Sequence, residues 1–188
     1  MMKQAIEEAL GVLNAGGVIL YPTDTVWGLG CDASNTAAIA RIFEIKRRSE
    51  AKSLVLLASD LDMVARYVKE IPPMAIDLVE VNDAPMTIVY PGAQGLPAEL
   101  LAEDGSVGIR IPSHEFCTEL TRRLRRPLVS TSANISGEAA PVSFGDISPE
   151  ILSSVDWCAP RRLEQGATGR ASQIIKLGLR GEVEIIRR

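Results

Sequence analysis

The chain has 188 residues, of which 46% are hydrophobic and 23% are charged. These proportions are typical of a globular protein with one buried core, and they exclude a disordered or fibrous chain. The net charge of −4 disfavours a broadly basic nucleic-acid surface. No apolar run is long enough to span a bilayer, and the first ten residues do not resemble a signal peptide. We therefore expect a cytoplasmic protein without a membrane partner, folded as a single domain over residues 1–188.

Cysteine and histidine are scarce, which limits the chemistry available to the chain. The three cysteines are isolated in sequence, which favours neither a disulfide framework nor a paired-thiol zinc site. His114 is the only histidine, so a histidine-rich metal centre is excluded, and a Ser-His-Asp or Cys-His mechanism would have to use this one residue. Its position at the start of a predicted helix favours a capping or solvent-facing role.

Hydrophobic periodicity and turn residues predict interleaved helices and strands. In the first half of the chain the predicted elements are a helix over 3–14, a strand over 18–21, a helix from Ser34 or Asn35 to about Lys46, a strand over 53–57, helices over 61–68 and 72–81, and a strand over 86–90. In the second half they are a strand over 107–111, a basic helix over 115–125, a strand over 128–130, a short helical region after Ala139, and strands near 173–176 and 182–186. This irregular order predicts an α/β (α+β) domain built on a mixed sheet.

Polar segments follow several of these elements, at positions where the edges of a sheet commonly form sites. In the segment 22–30, hydroxyls and the Asp24 carboxylate follow a buried strand, and two glycines permit close approach of the backbone to a ligand. The alternative is a turn in which Asp24 bonds nearby amides. The next segment contains Lys46, Arg48 and Lys52. These cations either complement the dipole at a helix C-terminus or bind a polyphosphate.

Two further segments and a late loop complete the set. Arg110 interrupts an otherwise apolar strand, and a buried arginine requires a partner, so it either pairs with an internal carboxylate or binds a carboxylate or phosphate of a ligand. We favour the ligand. The segment 127–137 carries hydroxyls and an amide after a strand, as a phosphate-binding loop or an ordinary turn would. A glycine-containing loop over 165–172 is flexible enough to close over a site.

Together these segments resemble the YrdC-like family over essentially the whole chain. The resemblance is carried, in the family's order and spacing, by the segment PTDTVWGLG at 22–30, Lys46-x-Arg48, Gly108-x-Arg110-x-Pro112, and Ser132-Ala133-Asn134-x-Ser136-Gly137. It implies a YrdC/RibB-like fold, in which a twisted mixed β-sheet flanked by helices encloses a basic cavity. Trp27 stands where tyrosine is common in the family, and either ring would provide an aromatic wall for that cavity.

The resemblance also implies an activity. Members of the family are nucleotidyltransferases that form L-threonylcarbamoyl-adenylate from L-threonine, bicarbonate or CO2, and ATP, with release of pyrophosphate. The product passes to partner proteins that modify tRNA beside the anticodon. By motif position, the residues that would contact threonine are Thr23, Arg110, Ser130 and Ser172. Those that would contact ATP are Lys46, Arg48, Ser132 and Asn134, with Lys52 as a further contact and with Lys46 and Arg48 as the catalytic pair.

The residue inventory fits this chemistry without a protein nucleophile. A carbamate is already an anionic nucleophile, so the protein has to position it against the α-phosphorus of ATP and stabilise the charge that moves onto pyrophosphate. No carboxylate cluster suggests a resident metal, so we expect Mg²⁺ to arrive with ATP. Two other functions stay open. One is a non-catalytic RNA-binding module in ribosome maturation, favoured by the arginines at 122–126, and the other is a YrdC-like relative with another carbamoyl-adenylate substrate.

Overall fold

A mixed β-sheet forms the centre of the protein in a computed structural model, which describes residues 1–47 and 54–188. Within these residues the sheet has nine strands: β1 (Ile19–Tyr21), β2 (Gly28–Asp32), β3 (Val55–Leu57), β4 (Met86–Tyr90), β5 (Val107–Arg110), β6 (Leu128–Ser132), β7 (Trp157–Cys158), β8 (Gln173–Leu177) and β9 (Val183–Arg187). Their spatial order is β7-β1-β2-β6-β3-β5-β4-β8-β9. The pairs β1–β7, β3–β5 and β4–β8 are parallel and the others are antiparallel, which confirms the expected mixed-sheet α/β fold.

Helices flank this sheet. In the described parts of the chain the α-helices are α1 (Met2–Asn14), α2 (Thr36–Lys46), α3 (Leu61–Tyr67), α4 (Pro73–Val81), α5 (Glu115–Leu124) and α6 (Pro149–Ser154). Short 3-10 helices cover Ala98–Leu100, Phe144–Asp146 and Arg161–Leu163. None of the described helices is both long and apolar enough to cross a membrane.

The two ends of α2 are set by the residues next to it. The side-chain oxygen of Asn35 accepts a hydrogen bond from the backbone N–H of Ala38 at 2.9 Å, which satisfies one amide of the first turn. Arg47 ends the helix with a left-handed φ of 52°. The predicted cap at Ser34 or Asn35 is thus confirmed at Asn35, and Lys46 lies in the last turn of the helix.

The prediction missed two strands. The segment that we expected to form a loop up to Gly30 continues as β2, between β1 and β6. Glycine is a weak strand former, but here it relieves crowding, since a Cβ atom on Gly30 would lie 2.6 Å from the carbonyl oxygen of Val129 and 2.7 Å from Cε1 of Tyr21. The second missed strand, β7, has two residues at the edge of the sheet, too few for a periodic signal.

Aromatic packing holds the β1–β7 edge against α5. The ring of Phe116 in α5 stacks on Trp157 with 6.0 Å between ring centroids, and it lies 6.4 Å from the ring of Tyr21. Tyr21 and Phe116 are fully buried. Such pairs contribute about 0.5–1.5 kcal/mol beyond the burial of their area, so they fix the end of β1 from which the segment 22–30 begins.

Candidate active site

A cavity of about 350 Å³ gathers residues from all of the predicted polar segments. This volume lies in the range of small-molecule binding sites. The predicted site residues that line it are Thr23, Lys46, Arg110, Ser130, Ser132, Asn134 and Ser172. Arg48 and Lys52 lie outside the described residues. The separate sequence segments therefore converge on one hollow, as the predicted chemistry requires.

Sheet order explains this convergence. β1 and β2 form an antiparallel pair in which Tyr21 lies opposite Gly28, and Gly28 lies opposite Ser132 of β6. The turn that joins β1 to β2 therefore lies beside the end of β6. Arg110 is the last residue of β5, which is separated from β6 only by β3.

Arg110 is buried and forms an ion pair with Asp24, in which Nη1 donates to Oδ1. Oδ2 of Asp24 accepts from the backbone N–H of Ser113 at 3.1 Å and from its hydroxyl at 3.2 Å. The internal carboxylate that we considered for Arg110 is thus present, although Arg110 also lines the cavity. The idea that Asp24 bonds amides of its own turn is wrong, because Thr23 performs that task.

Thr23 holds the turn between β1 and β2 together. Its hydroxyl donates to the carbonyl of Val26 at 2.8 Å and accepts from the backbone N–H of Thr25 at 3.0 Å. The hydroxyls of Thr23 and Thr25 also lie within 2.8 Å of each other. The Thr23 hydroxyl is therefore occupied within the protein, although the residue lines the cavity.

Lys46 joins the end of α2 to the loop that follows β6. Its Nζ donates to the carbonyl oxygens of Ser132 at 2.7 Å and Asn134 at 2.9 Å, and its own carbonyl accepts from the N–H of Ser136 at 3.0 Å. Lys46 is only 3% exposed. These contacts place a buried positive charge beside the Ser132–Asn134 segment, in the wall of the cavity.

In the Asn134 side chain, the amide nitrogen is hydrogen-bonded and the amide oxygen is not. Its Nδ2 donates to the carbonyls of Ile135 at 3.0 Å and Glu138 at 2.8 Å. Its Oδ1 is buried and has no hydrogen-bond partner among the described residues. A buried acceptor without a donor is costly, so this atom is suited to receive an N–H or O–H group of a ligand.

Two serine hydroxyls of the cavity lie within hydrogen-bond distance of other buried hydroxyls. Oγ of Ser130 accepts from the hydroxyl of Tyr21 at 2.7 Å, and Oγ of Ser172 lies 2.8 Å from the hydroxyl of Thr87. Burial raises the pKa of Tyr21 above its usual range, so the phenol keeps its proton.

Arg187 belongs to the site, although sequence reasoning did not include it. It lines the cavity from β9, and its Nε donates to the carbonyl of Ser172 at 2.8 Å. Partial burial and the nearby charge of Arg110 lower the pKa of Arg187. Its signal in the sequence was weak, a single cation directly after the strand predicted near 182–186. Lys46, Arg110 and Arg187 are the charged residues among the described lining, so the expected basic cavity is present.

The late loop lies against the turn between β1 and β2. The backbone N–H of Thr168 donates to the carbonyl of Asp24 at 3.0 Å, and that of Gly169 donates to Thr25 at 2.9 Å. The loop ends at Ser172, which lines the cavity. The loop is thus placed where a lid has to be, while its closing motion stays a prediction.

Two expectations about aromatic and imidazole rings are wrong. Trp27 is buried and is not among the residues that line the cavity, although its neighbours Val26 and Gly28 are. Its indole N–H donates to Glu164 at 2.7 Å instead. His114 is the N-cap residue of α5, but its side chain makes no capping hydrogen bond, and the ring is buried with Nε2 3.0 Å from the carbonyl of Leu163. Burial lowers the pKa of His114.

Three of the four arginines at 122–126 are paired with acids. Arg122 forms an ion pair with Glu119. Arg123 lies 2.5 Å from Glu7 and Arg126 lies 2.7 Å from Asp32. Because these acids neutralise part of the arginine charge, the 122–126 segment offers less positive charge to RNA than its sequence indicates.

Comparison with known proteins agrees with this geometry. A Sua5/YciO/YrdC family model, described as telomere recombination, matches residues 11–188. The chain belongs to the Sua5/YciO/YrdC family. The resemblance to YrdC-like proteins that the motifs indicate is thereby confirmed.

Individual members of the Sua5/YciO/YrdC family match in sequence and in structure. The chain is 34% identical over 172 residues to the threonylcarbamoyl-AMP synthase of Xanthomonas euvesicatoria pv. vesicatoria (strain 85-10), covering 90% of this chain and 91% of that protein. P. abyssi Sua5 complexed with L-threonine matches with a TM-score of 0.80 and 29% identity, covering 92% of this chain and 50% of that one. A double variant of P. abyssi Sua5 matches with a TM-score of 0.84 and 28% identity, covering 97% of this chain and 55% of that one. The chain thus spans about half the length of these Sua5 chains.

Proposed function

We propose that this chain is a nucleotidyltransferase that forms L-threonylcarbamoyl-adenylate from L-threonine, bicarbonate or CO2, and ATP, and that releases pyrophosphate. The observation that carries the proposal is the basic cavity, in which hydroxyl, amide and cationic side chains from four separate motifs meet. Relatives that are similar over nine-tenths of the chain are threonylcarbamoyl-AMP synthases, which supports the same reaction here.

Threonine binds at the Arg110 side of the cavity in this proposal. One part of the guanidinium is held by Asp24, and the group also lines the cavity, where it can pair with the threonine carboxylate. Ser130 and Ser172 supply hydroxyls for the remaining polar atoms. Thr23 shapes the pocket, since its hydroxyl is occupied within the turn.

ATP binds at the Lys46 side. Lys46 brings positive charge next to Ser132 and Asn134, and the unused Oδ1 of Asn134 is suited to accept from an amino or hydroxyl group of the nucleotide. Arg48 and Lys52, which lie outside the described residues, complete the set by motif position.

The chemical step is an attack by an anion on phosphorus. The neutral amino group of threonine adds to CO2 and releases a proton to solvent, which gives a carbamate. A carbamate oxygen then forms a bond to the α-phosphorus of ATP, while the bond between that phosphorus and the oxygen that bridges to the β-phosphate breaks. The electron pair of that bond leaves with pyrophosphate, where Lys46 and Arg48 stabilise the developing charge. Mg²⁺ that arrives with ATP would supply further positive charge there.

The product is a mixed anhydride that water hydrolyses readily, so it has to reach its acceptor quickly. It is passed to partner proteins that modify tRNA beside the anticodon, in the cytoplasm. The acidic pairing of the α5 arginines gives no support for an extended tRNA surface on this chain.

Pyrophosphate release tests the proposed reaction. The chain is supplied with ATP, bicarbonate and one amino acid at a time, and we expect release that requires bicarbonate and L-threonine. L-serine should be used about 5- to 150-fold less efficiently, because one methyl group is worth roughly 1–3 kcal/mol. More efficient release with another amino acid than with L-threonine would indicate a different carbamoyl-adenylate. Salt-sensitive tRNA binding without amino-acid-dependent turnover would indicate an RNA-binding module.

Lys46→Ala tests the catalytic role. Removal of a preorganised positive charge that acts on the leaving group should lower pyrophosphate release by about a hundredfold or more, while the Kd of L-threonine from calorimetry stays within about twofold. Arg41→Ala is the matched control, because Arg41 lies on the same helix and pairs with Asp156 away from the cavity. Turnover of Lys46→Ala near that of this control would reject the role.

A further inference from the structure

The side chain of Ser130 receives its hydrogen bond from a residue outside the cavity wall. Tyr21 lies in β1, is fully buried, and donates its hydroxyl proton to Oγ of Ser130 at 2.7 Å. Ser130 makes no other side-chain hydrogen bond within the described part of the chain. The two hydroxyls therefore form a short chain that begins in the core and ends at the cavity.

We propose that Tyr21 is a positioning residue, which directs the proton of Ser130 into the cavity, toward an anionic oxygen of the bound amino acid or of its carbamate. This inference rests on the proposed function, because it says which group donates in the hydrogen bond between Ser130 and the bound amino acid. It adds a residue from β1 that does not itself touch the substrate.

The direction of these hydrogen bonds follows from the number of protons and lone pairs on the hydroxyls of Tyr21 and Ser130. A serine hydroxyl has one proton and two lone pairs. A phenol is the more acidic hydroxyl and the better donor, and burial raises the pKa of Tyr21 further, so its proton is always present. Since Tyr21 donates to one lone pair of Ser130, the serine proton has to point elsewhere. The open direction is the cavity. A Ser130 proton that points there donates to an anionic oxygen, whereas an ammonium group would need an acceptor.

The glycines of the 22–30 segment create the path for the Tyr21 ring. To reach β6 from β1, the ring has to cross β2, which lies between them. A Cβ atom on Gly30 would lie 2.7 Å from Cε1 and 3.1 Å from the hydroxyl oxygen of Tyr21, and one on Gly28 would lie 3.4 Å from Cζ. Both glycines therefore leave room for the ring. The approach of Tyr21 to Ser130 is built into the sheet and does not depend on a flexible side chain.

Tyr21→Phe isolates the hydroxyl, because it keeps the ring that fills this path. Without the donor, the Ser130 hydroxyl can rotate, and part of its hydrogen bond to the anion is lost. We expect the Kd and the KM for L-threonine to rise roughly three- to tenfold, with the KM for ATP unchanged and kcat within about twofold. Tyr90→Phe is the matched control, since Tyr90 is another buried tyrosine and does not line the cavity.

A double-mutant cycle separates positioning from a structural effect. Tyr21→Phe, Ser130→Ala and the double variant are compared by threonine calorimetry, pyrophosphate release and thermal melting. We expect Ser130→Ala to weaken threonine binding at least as much as Tyr21→Phe, and the double variant to bind no worse than Ser130→Ala. Additive losses in the double variant, or a Kd of Tyr21→Phe equal to that of Tyr90→Phe, would overturn the inference.

The cycle also keeps the inference apart from the proposed function. If the wild-type chain neither binds L-threonine nor releases pyrophosphate with it, the proposed function fails. If the wild-type chain does both and Ser130→Ala binds threonine normally, the function stands and the role of Tyr21 is rejected. This last comparison needs only Ser130→Ala, so it holds even if Tyr21→Phe does not fold.

Discussion

Arg110 is a buried cation whose carboxylate partner is itself held by further hydrogen bonds. A buried ion pair gains stability only when its remaining hydrogen-bonding groups are also satisfied, and Asp24 receives two hydrogen bonds from Ser113 for this purpose. The pair fixes the guanidinium next to the cavity, and Arg187 adds a second charge nearby. At this scale the site is a set of cations that are held in place before any ligand arrives.

Arg110→Lys tests the contact with threonine. Lysine keeps the charge but cannot form a forked pair with a carboxylate, and such a charge-assisted contact contributes about 1.5–3 kcal/mol. We therefore expect the Kd of L-threonine from calorimetry to rise roughly 10- to 150-fold, with little change in secondary structure by circular dichroism. Arg123→Lys, which alters an exposed ion pair with Glu7, serves as the control. An unchanged Kd for Arg110→Lys would exclude the contact.

At the scale of elements, β2 is the strand that depends most on its neighbours. Its two glycines would weaken an isolated strand, yet β2 is fully buried between β1 and β6 and carries the ring of Tyr21 across it. The start of α5 is similar, since its N-cap residue His114 places Nε2 3.0 Å from the carbonyl of Leu163 in the 3-10 helix Arg161–Leu163. Both elements hold the site through contacts between distant parts of the chain.

Two glycine substitutions should have opposite effects on stability. Gly30→Ala places a methyl group 2.6 Å from the Val129 carbonyl in the neighbouring strand, which cannot move freely, so we expect a loss of about 1–3 kcal/mol. Gly11→Ala lies within α1 with nothing inside 4 Å, and we expect a gain of about 0.5–1 kcal/mol. Urea unfolding measures both. A stable Gly30→Ala variant would show that β2 is not crowded.

His114 should make stability depend on pH below neutrality. Burial lowers its pKa in the folded chain, whereas the unfolded chain takes up the proton near the ordinary pKa of about 6.5. As the pH falls below that value, the unfolded state binds a proton that the folded state does not, so the free energy of unfolding decreases. Between pH 7.5 and 5.5 the melting temperature of the wild type should therefore fall more than that of His114→Gln. Parallel curves would contradict this account.

At the scale of the whole molecule, the cavity is closed by segments from opposite ends of the chain. The turn after β1 contacts the loop before β8, and β9 contributes Arg187. Since the proposed product is sensitive to water, the position of the late loop over this turn suits a lid that excludes solvent.

Hydrogen exchange tests the lid. We expect amides of the loop 165–172 to exchange more slowly when ATP and L-threonine are both present, because closure protects backbone groups that are exposed in the free protein. The turn between β8 and β9, residues 178–182, lies away from the cavity lining and serves as an internal reference. Equal exchange of the loop with and without substrates would count against closure.

Much of this protein could be predicted from its sequence, because the signals concerned are local. The apolar periodicity of α1, the cap of α2 and the apolar runs of β4 and β6 each act within a few residues, and their predicted bounds agree closely with the structure. The motif order likewise indicated the family and the residues that line the cavity. These features are set by short-range geometry and by side-chain chemistry.

Only the tertiary structure decided which partners those residues have. Asp24 meets Ser113, 89 positions away, and Tyr21 meets Ser130, 109 positions away. No local pattern encodes such a meeting, because it depends on the order in which the strands assemble. For the same reason the burial of His114, the direction of Trp27 and the place of Arg187 in the cavity emerged only when the sheet brought distant segments into contact.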